Sequence, residues 1–221
     1  MTVLVVGASS RVGADVARAL VARGVAVRAM TRRPEATMPE PVEVVRADLG
    51  NPASLRDACA GVHRVFLMSS PTSEQVTLET NAIDAAEAAR VDHIVKISNI
   101  PVPGLDSGLH GNHRAIEARL AASTIASTVL QPSFFSSVLA RQLPLIRRGR
   151  FVMPTGNGRI AWIDPRDIAA VAAAVLADRE PPAGAFRLTG PEALSAADVA
   201  ARIATGTGRE VSLLQPPIDS W

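Results

Sequence analysis

The sequence predicts an α/β protein with a doubly wound parallel sheet. Short apolar runs alternate with helical patterns along the first 131 residues, which is typical of such a sheet. The first run, Val3 to Val6, leads directly into a glycine turn and then into a helical stripe of apolar residues. Strand, glycine-rich turn and helix together indicate a dinucleotide-binding, Rossmann-like unit.

The glycine turn has the pattern Gly7-x-x-Ser10-x-x-Gly13. Gly7 would form the turn and Gly13 would let the helix pack closely on the strand. Ser10 stands where a middle glycine is usual, and its hydroxyl can donate to a phosphate. The free N–H groups and the dipole of the following helix favour an anion at this point.

The alternation of predicted strands and helices extends this unit to residue 132, and the pattern becomes less regular after that residue. Asn51 and Pro52 offer a helix N-cap and a first helical position, and Ser195 with Asp198 resembles a capping box. We predict residues 1–132 to be the NAD(P)-binding core, and residues 133–221 to complete the sheet and form a short substrate-binding region. The predicted strands are 25–30, 42–46, 62–68, 93–98, 125–131, 185–188 and 211–214, and the helices are 51–60, 74–90, 108–123, short pieces after 134, and two starting near 164 and 195.

Composition excludes several classes of function. The 221 residues carry a net charge of +2, and their basic residues are scattered without a cluster, so we expect no nucleic-acid partner. No apolar run approaches a membrane span, and the residues before the first strand do not resemble a signal peptide, so we expect none. The single Cys59 cannot form an internal disulfide, which fits a cytoplasmic protein.

The end of the second strand predicts the cofactor. An NAD site has an acidic residue there, but no acid lies between Asp15 and Glu35, and Thr31-Arg32-Arg33 takes its place. Guanidinium groups suit the 2′-phosphate of NADP(H), so we expect NADP(H) to be preferred over NAD(H). The alternative is that these arginines are solvated loop charges.

The carboxyl ends of parallel strands form the ligand crevice in this fold. Polar and small residues follow several predicted strands, although each is also a common turn former. The predicted cofactor-binding residues are Gly7, Ser9, Ser10, Arg11, Val12, Gly13, Thr31, Arg32, Asp48, Leu49, Met68, Ser69, Ser70, Ser98, Pro132 and Phe134.

Seven short motifs along the chain form a specific set. They are the Gly7 loop, Thr31-Arg32, Arg46-Ala-Asp48-Leu49, Val95-Lys96-Ile97-Ser98, His110-Gly-x5-Glu117-x-x-Leu120, Leu130-x-Pro132-x-Phe134-Phe135 and Asp164-x-x-Asp167-Ile168-Ala169. Over residues 2–215 the set resembles the NmrA-like branch of the atypical short-chain dehydrogenases. The resemblance implies a Rossmann fold with a small C-terminal substrate region. It also implies an activity like that of NADPH-dependent quinone reductases or azoreductases, or a non-catalytic NADP(H) sensor.

The chain departs from that superfamily in two ways. The superfamily's Tyr-x-x-x-Lys pair is absent, because the chain has no tyrosine and its only lysine, Lys96, lies on a predicted strand. His113 and Glu117 stand in the corresponding helix. The chain also stops at Trp221, earlier than is usual, which predicts an open pocket or one completed by a partner subunit.

His113 and Ser98 are the candidate catalytic residues. An ordinary histidine pKa would let His113 donate a proton near neutral pH, with Glu117 orienting it. The alternative is a surface His–Glu pair. His110, His113 and Glu117 share a helix face, but no fourth ligand is in sight, so we expect no metal site. Ser98 would touch the nicotinamide ribose or the substrate.

Three functional hypotheses follow. The first is an NADPH-dependent oxidoreductase that transfers hydride to a small, flat, quinone-like or enone/carbonyl acceptor. The second is a non-catalytic NADP(H) sensor with a regulatory protein partner. The third is a polyketide-type reductase or a non-redox enzyme on the same scaffold. A homodimer is compatible with each. The residues that would receive a flat ring, or else belong to the core, are Phe134, Phe135, Met153 and Trp162.

Overall fold

The computed structural model describes residues 1–32 and 40–217, and Arg33 and Trp221 therefore lie outside the described residues. The chain divides into two compact units. The first comprises Met1–Pro132 and Arg166–Arg187, and the second comprises Ser133–Pro165 and the residues from Leu188 onward.

The first unit is built on a seven-stranded sheet. Its strands are β1 (Thr2–Val5), β2 (Ala26–Thr31), β3 (Glu43–Arg46), β4 (Arg64–Leu67), β5 (His93–Ile97), β6 (Ala126–Pro132) and β9 (Gly184–Leu188). Their order in the sheet is β3-β2-β1-β4-β5-β6-β9, and the first six pair in parallel. This order reverses next to β1, which is where doubly wound sheets bind ligands.

Helices connect these strands, and their caps follow from local sequence. They are α1 (Arg11–Val21), α2 (Pro52–Cys59), α3 (Gln75–Ala88), α4 (Gly108–Ala121) and α7 (Pro165–Ala177). Asn51 caps α2 as predicted, since its side chain accepts from the N–H groups of Ala53 and Ser54. The main core lies around β1, β4 and β5 and the facing sides of α2, α3 and α4, and includes Cys59.

Residues 166–187 return to the first unit, although the sequence grouped them with the C-terminal region. Burial explains this placement, because Ile168 and Leu176 on α7 are fully buried. The Arg64 guanidinium also donates to the carbonyl oxygen of Leu176, at 2.8 Å. The helix and β9 thus complete the sheet from a distant part of the chain.

The second unit is smaller and consists of short elements. They are α5 (Ser137–Ala140), α6 (Leu143–Ile146), β7 (Arg150–Val152), β8 (Arg159–Ile160), β10 (Leu194–Ser195), α8 (Ala196–Thr207) and β11 (Ser212–Leu214). The predicted capping box is confirmed at α8, where Ser195 and Asp198 bond each other's backbone N–H groups. Its core is formed by Phe151, Met153, Ala196, Val199 and Ala200.

Candidate cofactor and active site

The turn after β1 requires glycine at two positions. Gly7 has a φ of +77°, and a Cβ there would lie 2.5 Å from the carbonyl oxygen of Met68, which follows β4. A Cβ on Gly13 would overlap the carbonyl oxygen of Gly7. The absence of both side chains therefore lets the turn, the start of α1 and the end of β4 pack against one another.

Ser10 is the N-cap of α1. Its Oγ accepts from the Gly13 N–H at 3.0 Å, so the residue in the middle of the motif ends the turn and begins the helix. The N–H groups of Arg11 and Val12 have no acceptor within the helix, because they belong to its first turn. The Ser10 hydroxyl hydrogen and these N–H groups could bind a phosphate together.

A cavity of about 320 Å³ opens beside this turn. Ten of the residues predicted to bind a cofactor line its wall: Gly7, Ser9, Ser10, Thr31, Arg32, Asp48, Leu49, Met68, Ser69 and Ser70. Six further residues complete the wall: Val6, Met30, Ala47, Pro71, Thr72 and Leu78. The wall does not include Arg11, Val12, Gly13, Ser98, Pro132 or Phe134. Val12 is buried in the core.

A second cavity, of about 400 Å³, shares Arg32, Ala47 and Asp48 with the first. Arg46 is also part of its wall, together with Asn51 and Ser54. The sequence reading did not select Arg46 as a binding residue. The parallel register between β2 and β3 pairs it with Thr31, and it therefore lies beside Arg32. In the sequence, the feature that could have identified Arg46 is its position at the end of a predicted strand. Its proximity to Arg32 follows only from the order of the strands in the sheet.

Asp48 is held in place by its own loop. Its Oδ1 accepts from the Gly50 N–H at 2.8 Å, and its backbone N–H donates to the Ser54 hydroxyl. Asp48 lines both cavities, and the hydrogen bond from Gly50 fixes the orientation of its carboxylate.

A buried polar network lies behind the first cavity. Glu79 and Lys96 form an ion pair with both side chains 0% exposed, and Glu79 Oε2 lies 2.9 Å from Lys96 Nζ. Ser69 donates to Glu79 Oε1 at 2.7 Å, and Lys96 Nζ also contacts His113 Nδ1 at 3.3 Å. Glu79 was not predicted from the sequence; a lone acid on the inward face of α3 is the signal that could have identified it.

The structure corrects two expectations about His113. Its side chain is 8% exposed, and burial together with the Lys96 charge lowers its pKa from 6.5 to about 3. The ring is therefore neutral at pH 7 and carries no charge to act as an imidazolium acid. Glu117 does not orient it, because Glu117 bonds to other residues.

Glu117 instead joins the ends of β5 and β6. Its carboxylate accepts a hydrogen bond from Ser98 Oγ, and the Gln131 amide donates to it at 3.4 Å. His110, one turn before His113, accepts from Asn99 Nδ2 through its Nδ1 at 3.0 Å. Ser98 and His113 thus belong to separate hydrogen-bond groups at the carboxyl end of the sheet.

The aromatic residues predicted to receive a flat ring all lie in the second unit. Phe134 is 62% exposed, and its ring meets Trp162 edge-on with a centroid distance of 5.9 Å. Phe135 forms an isolated β-bridge with Ile163, and Met153 is part of that unit's core.

In residues 1–32 and 40–217 there is no group of three His, Cys, Asp or Glu side chains arranged to hold a metal ion. Within the same ranges, none of the helices has both the length and the apolar character needed to cross a membrane.

The fold and the turn at Gly7 define a protein of the dinucleotide-binding α/β class. Residues 1–220 match the model of the NmrA-like family. A NAD(P)H azoreductase of Xenophilus azovorans is 34% identical over 218 residues, which are 95% of this chain and 75% of that protein. A (4-alkanoyl-5-oxo-2,5-dihydrofuran-3-yl)methyl phosphate reductase of Streptomyces griseus subsp. griseus is 34% identical over 223 residues, covering 99% and 78%.

A solved structure is similar over nearly the whole chain. The crystal structure of the NADPH-dependent quinone oxidoreductase QOR2 of Escherichia coli, complexed with NADPH, superposes with a TM-score of 0.90 at 28% identity. The match covers 98% of this chain and 79% of that one. The chain belongs to the NmrA-like family, and it is an oxidoreductase.

Proposed function

We propose that the protein transfers hydride from NADPH to a small, flat, quinone-like or enone/carbonyl acceptor. The observation that carries this proposal is the pair of cavities at the carboxyl ends of β1 to β4, bordered by a glycine turn and two arginines. As an NAD(P)H-dependent oxidoreductase of the NmrA-like family, the protein needs such a site for its nicotinamide cofactor.

The residues present fit a dinucleotide. The absence of a Cβ at Gly7 and Gly13 keeps the backbone turn tight, and the first turn of α1 contains no acid that would repel a pyrophosphate. Ser10 and the N–H groups of Arg11 and Val12 would hold the phosphates. Bound NADPH would supply the hydride.

The preference for NADPH is supported by the charges around the second cavity. Arg32 and Arg46 contribute two guanidinium groups to one wall, and the residue that ends β2, Thr31, is uncharged. The Asp48 carboxylate is engaged by the Gly50 N–H and lies beyond the end of β3. Two arginines favour the dianionic 2′-phosphate of NADPH over the neutral hydroxyl of NADH.

The acceptor class is supported by the chemistry that the chain lacks and by its relatives. No tyrosine is present, so a tyrosine cannot protonate a ketone oxygen. Quinones are electron-poor acceptors that need less acid assistance, and the similar E. coli enzyme is a quinone oxidoreductase. An enone acceptor is favoured by the Streptomyces relative, whose named substrate is an unsaturated lactone. Ser98, whose hydroxyl is oriented by Glu117, is our candidate for contact with the acceptor.

Two measurements test the proposal. Calorimetric titration with NADPH and NADH measures cofactor choice, and loss of NADPH absorbance on adding quinones, azo compounds or enones measures turnover. We expect Arg32→Ala and Arg46→Ala each to weaken NADPH binding roughly 10-fold or more and to leave NADH binding nearly unchanged, because each removes a charge-assisted bond. Arg23→Ala is the matched control, since Arg23 is an exposed arginine just after α1 whose guanidinium donates to the Ala19 carbonyl oxygen, and it lines neither cavity.

Equal binding of NADPH and NADH by the wild-type protein would refute the cofactor preference. NADPH binding without oxidation by any of these acceptors would refute the acceptor class.

A further inference from the structure

A line of buried polar contacts, two hydrogen bonds joined by an ion pair, runs from the wall of the first cavity to helix α4. It comprises Ser69, Glu79, Lys96 and His113, and we call it the Glu79–Lys96 network. Ser69 lines the cavity, whereas Glu79 and Lys96 are fully buried and contact neither cavity. The proposed hydride transfer leaves this ion pair without a role.

The chemistry of the two central groups dictates the direction of every hydrogen bond. A carboxylate only accepts and an ammonium only donates. Ser69 must therefore give its hydroxyl hydrogen to Glu79, which leaves only oxygen lone pairs for a ligand in the cavity. Lys96 donates to the carbonyl oxygen of Ile97 and to Nδ1 of His113, so the proton of the neutral His113 ring must be on Nε2.

The surroundings of His113 keep that ring neutral. Lys96 faces it from β5 and Glu79 lies behind Lys96 on α3, while His110 and Glu117 are the titratable groups nearby on its own helix. Burial and the Lys96 charge lower the His113 pKa to about 3, so the ring does not take up a proton in the neutral range.

We propose that Glu79 and Lys96 are positioning residues, a charge pair that sets the hydrogen-bond direction at both ends of the network. At one end Ser69 presents an acceptor to the bound dinucleotide. At the other end His113 presents a fixed Nε2–H donor, and a neutral imidazole N–H can polarise a carbonyl oxygen without prior protonation. The roles of Ser69 toward the dinucleotide and of His113 toward the acceptor rest on the proposed function. The tautomer of His113 does not depend on it.

The tautomer is measured directly from the ring nitrogens of 15N-labelled protein by NMR, with His113→Gln to assign the signal. We expect His113 to carry its proton on Nε2, with Nδ1 bare, throughout pH 5 to 8. A proton on Nδ1, or a titration near the ordinary histidine pKa of about 6.5, would overturn the proposal.

The double variant Glu79→Gln/Lys96→Met tests the role of the pair, because it removes both charges together and leaves no unpaired buried ion. We expect His113 in this variant to populate both tautomers and to titrate at a higher pH. His93 is the internal control: it is also buried and bonds Thr128 rather than the network, so its signals should not move. An unchanged His113 spectrum would show that the pair is only structural, which overturns the proposal.

Steady-state kinetics test whether the Nε2–H tautomer of His113 contributes to catalysis. We expect the double variant to lose roughly tenfold in kcat/KM, the worth of one hydrogen bond, and to gain a pH-dependent limb that the wild type lacks. A double variant with wild-type kcat/KM and pH profile would refute the catalytic use. If none of the tested acceptors causes the wild-type protein to oxidise NADPH, the proposed function fails. The NMR result would still decide whether the Glu79–Lys96 pair positions His113.

Discussion

Removing one member of the buried Glu79–Lys96 pair should destabilise the protein far more than removing both. In Lys96→Met the Glu79 carboxylate would remain at 0% exposure without its cation. An uncompensated buried charge costs about 3–5 kcal/mol of unfolding free energy. Ser69 and Gln75 still donate to that carboxylate, at 2.7 Å and 3.3 Å, so we expect the loss to be near the lower limit, about 3 kcal/mol.

The double variant Glu79→Gln/Lys96→Met should behave differently. A glutamine retains an oxygen that can accept from Ser69, and methionine fills much of the volume of the lysine stem. Replacement of a buried ion pair by neutral groups is often close to neutral, so we expect the double variant to lie within about 1 kcal/mol of wild type. The coupling energy between the two sites would then be at least about 2 kcal/mol.

Urea denaturation followed by circular dichroism measures these differences, provided that the slope with denaturant is the same in all variants. The reasoning would be refuted if Lys96→Met cost less than about 1 kcal/mol, or if the double variant were as unstable as the sum of the single variants. Either result would mean that water or local rearrangement compensates the lone charge.

The remaining predictions concern the glycine turn and pH. Gly13→Ala should abolish dinucleotide binding and lower stability, since its Cβ would overlap the Gly7 carbonyl oxygen; Gly206→Ala, in α8 with open space around it, is the control and should be neutral or stabilising by up to about 1 kcal/mol in thermal unfolding. Acid should destabilise the protein through two buried histidines. Their pKa values are lowered from 6.5, to about 4 for His93 and about 3 for His113, mainly by burial. The unfolded chain therefore binds more protons below about pH 6.5, so their contribution is complete above that pH and is lost as pH falls toward the folded pKa values. We expect each to cost roughly 2 kcal/mol at pH 5, measured as the pH dependence of urea midpoints; His93→Gln and His113→Gln proteins that keep the full wild-type pH dependence would contradict this.

Features that depend on a few consecutive residues were predictable from the sequence. The turn at Gly7, the Asn51 cap and the Ser195–Asp198 capping box each involve groups at most a few residues apart, so local backbone geometry determines them. The alternation of strand and helix followed from hydrophobic periodicity for the same reason, and the family resemblance was confirmed by the match over residues 1–220.

The candidate site was only partly predictable. Residues next to the glycine turn and at the strand ends were selected because the doubly wound fold places them at one edge, and ten of them line the first cavity. Arg46 was not selected because its position in the wall of the second cavity depends on β3 lying beside β2, which pairs it with Thr31. Residues 133–221 were predicted to complete the sheet, but no local signal indicates that only residues 166–187 of this segment join the first unit.

The sequence by itself determined the fold class, the glycine turn after the first strand and the absence of a tyrosine acid. Only the tertiary structure decided which polar groups meet and which of them are charged. Glu117 bonds Ser98, 19 residues away, instead of its helix neighbour His113, and His113 is neutral because it is buried against Lys96. Ionisation depends on desolvation and on charges from distant segments, and a linear pattern contains neither quantity.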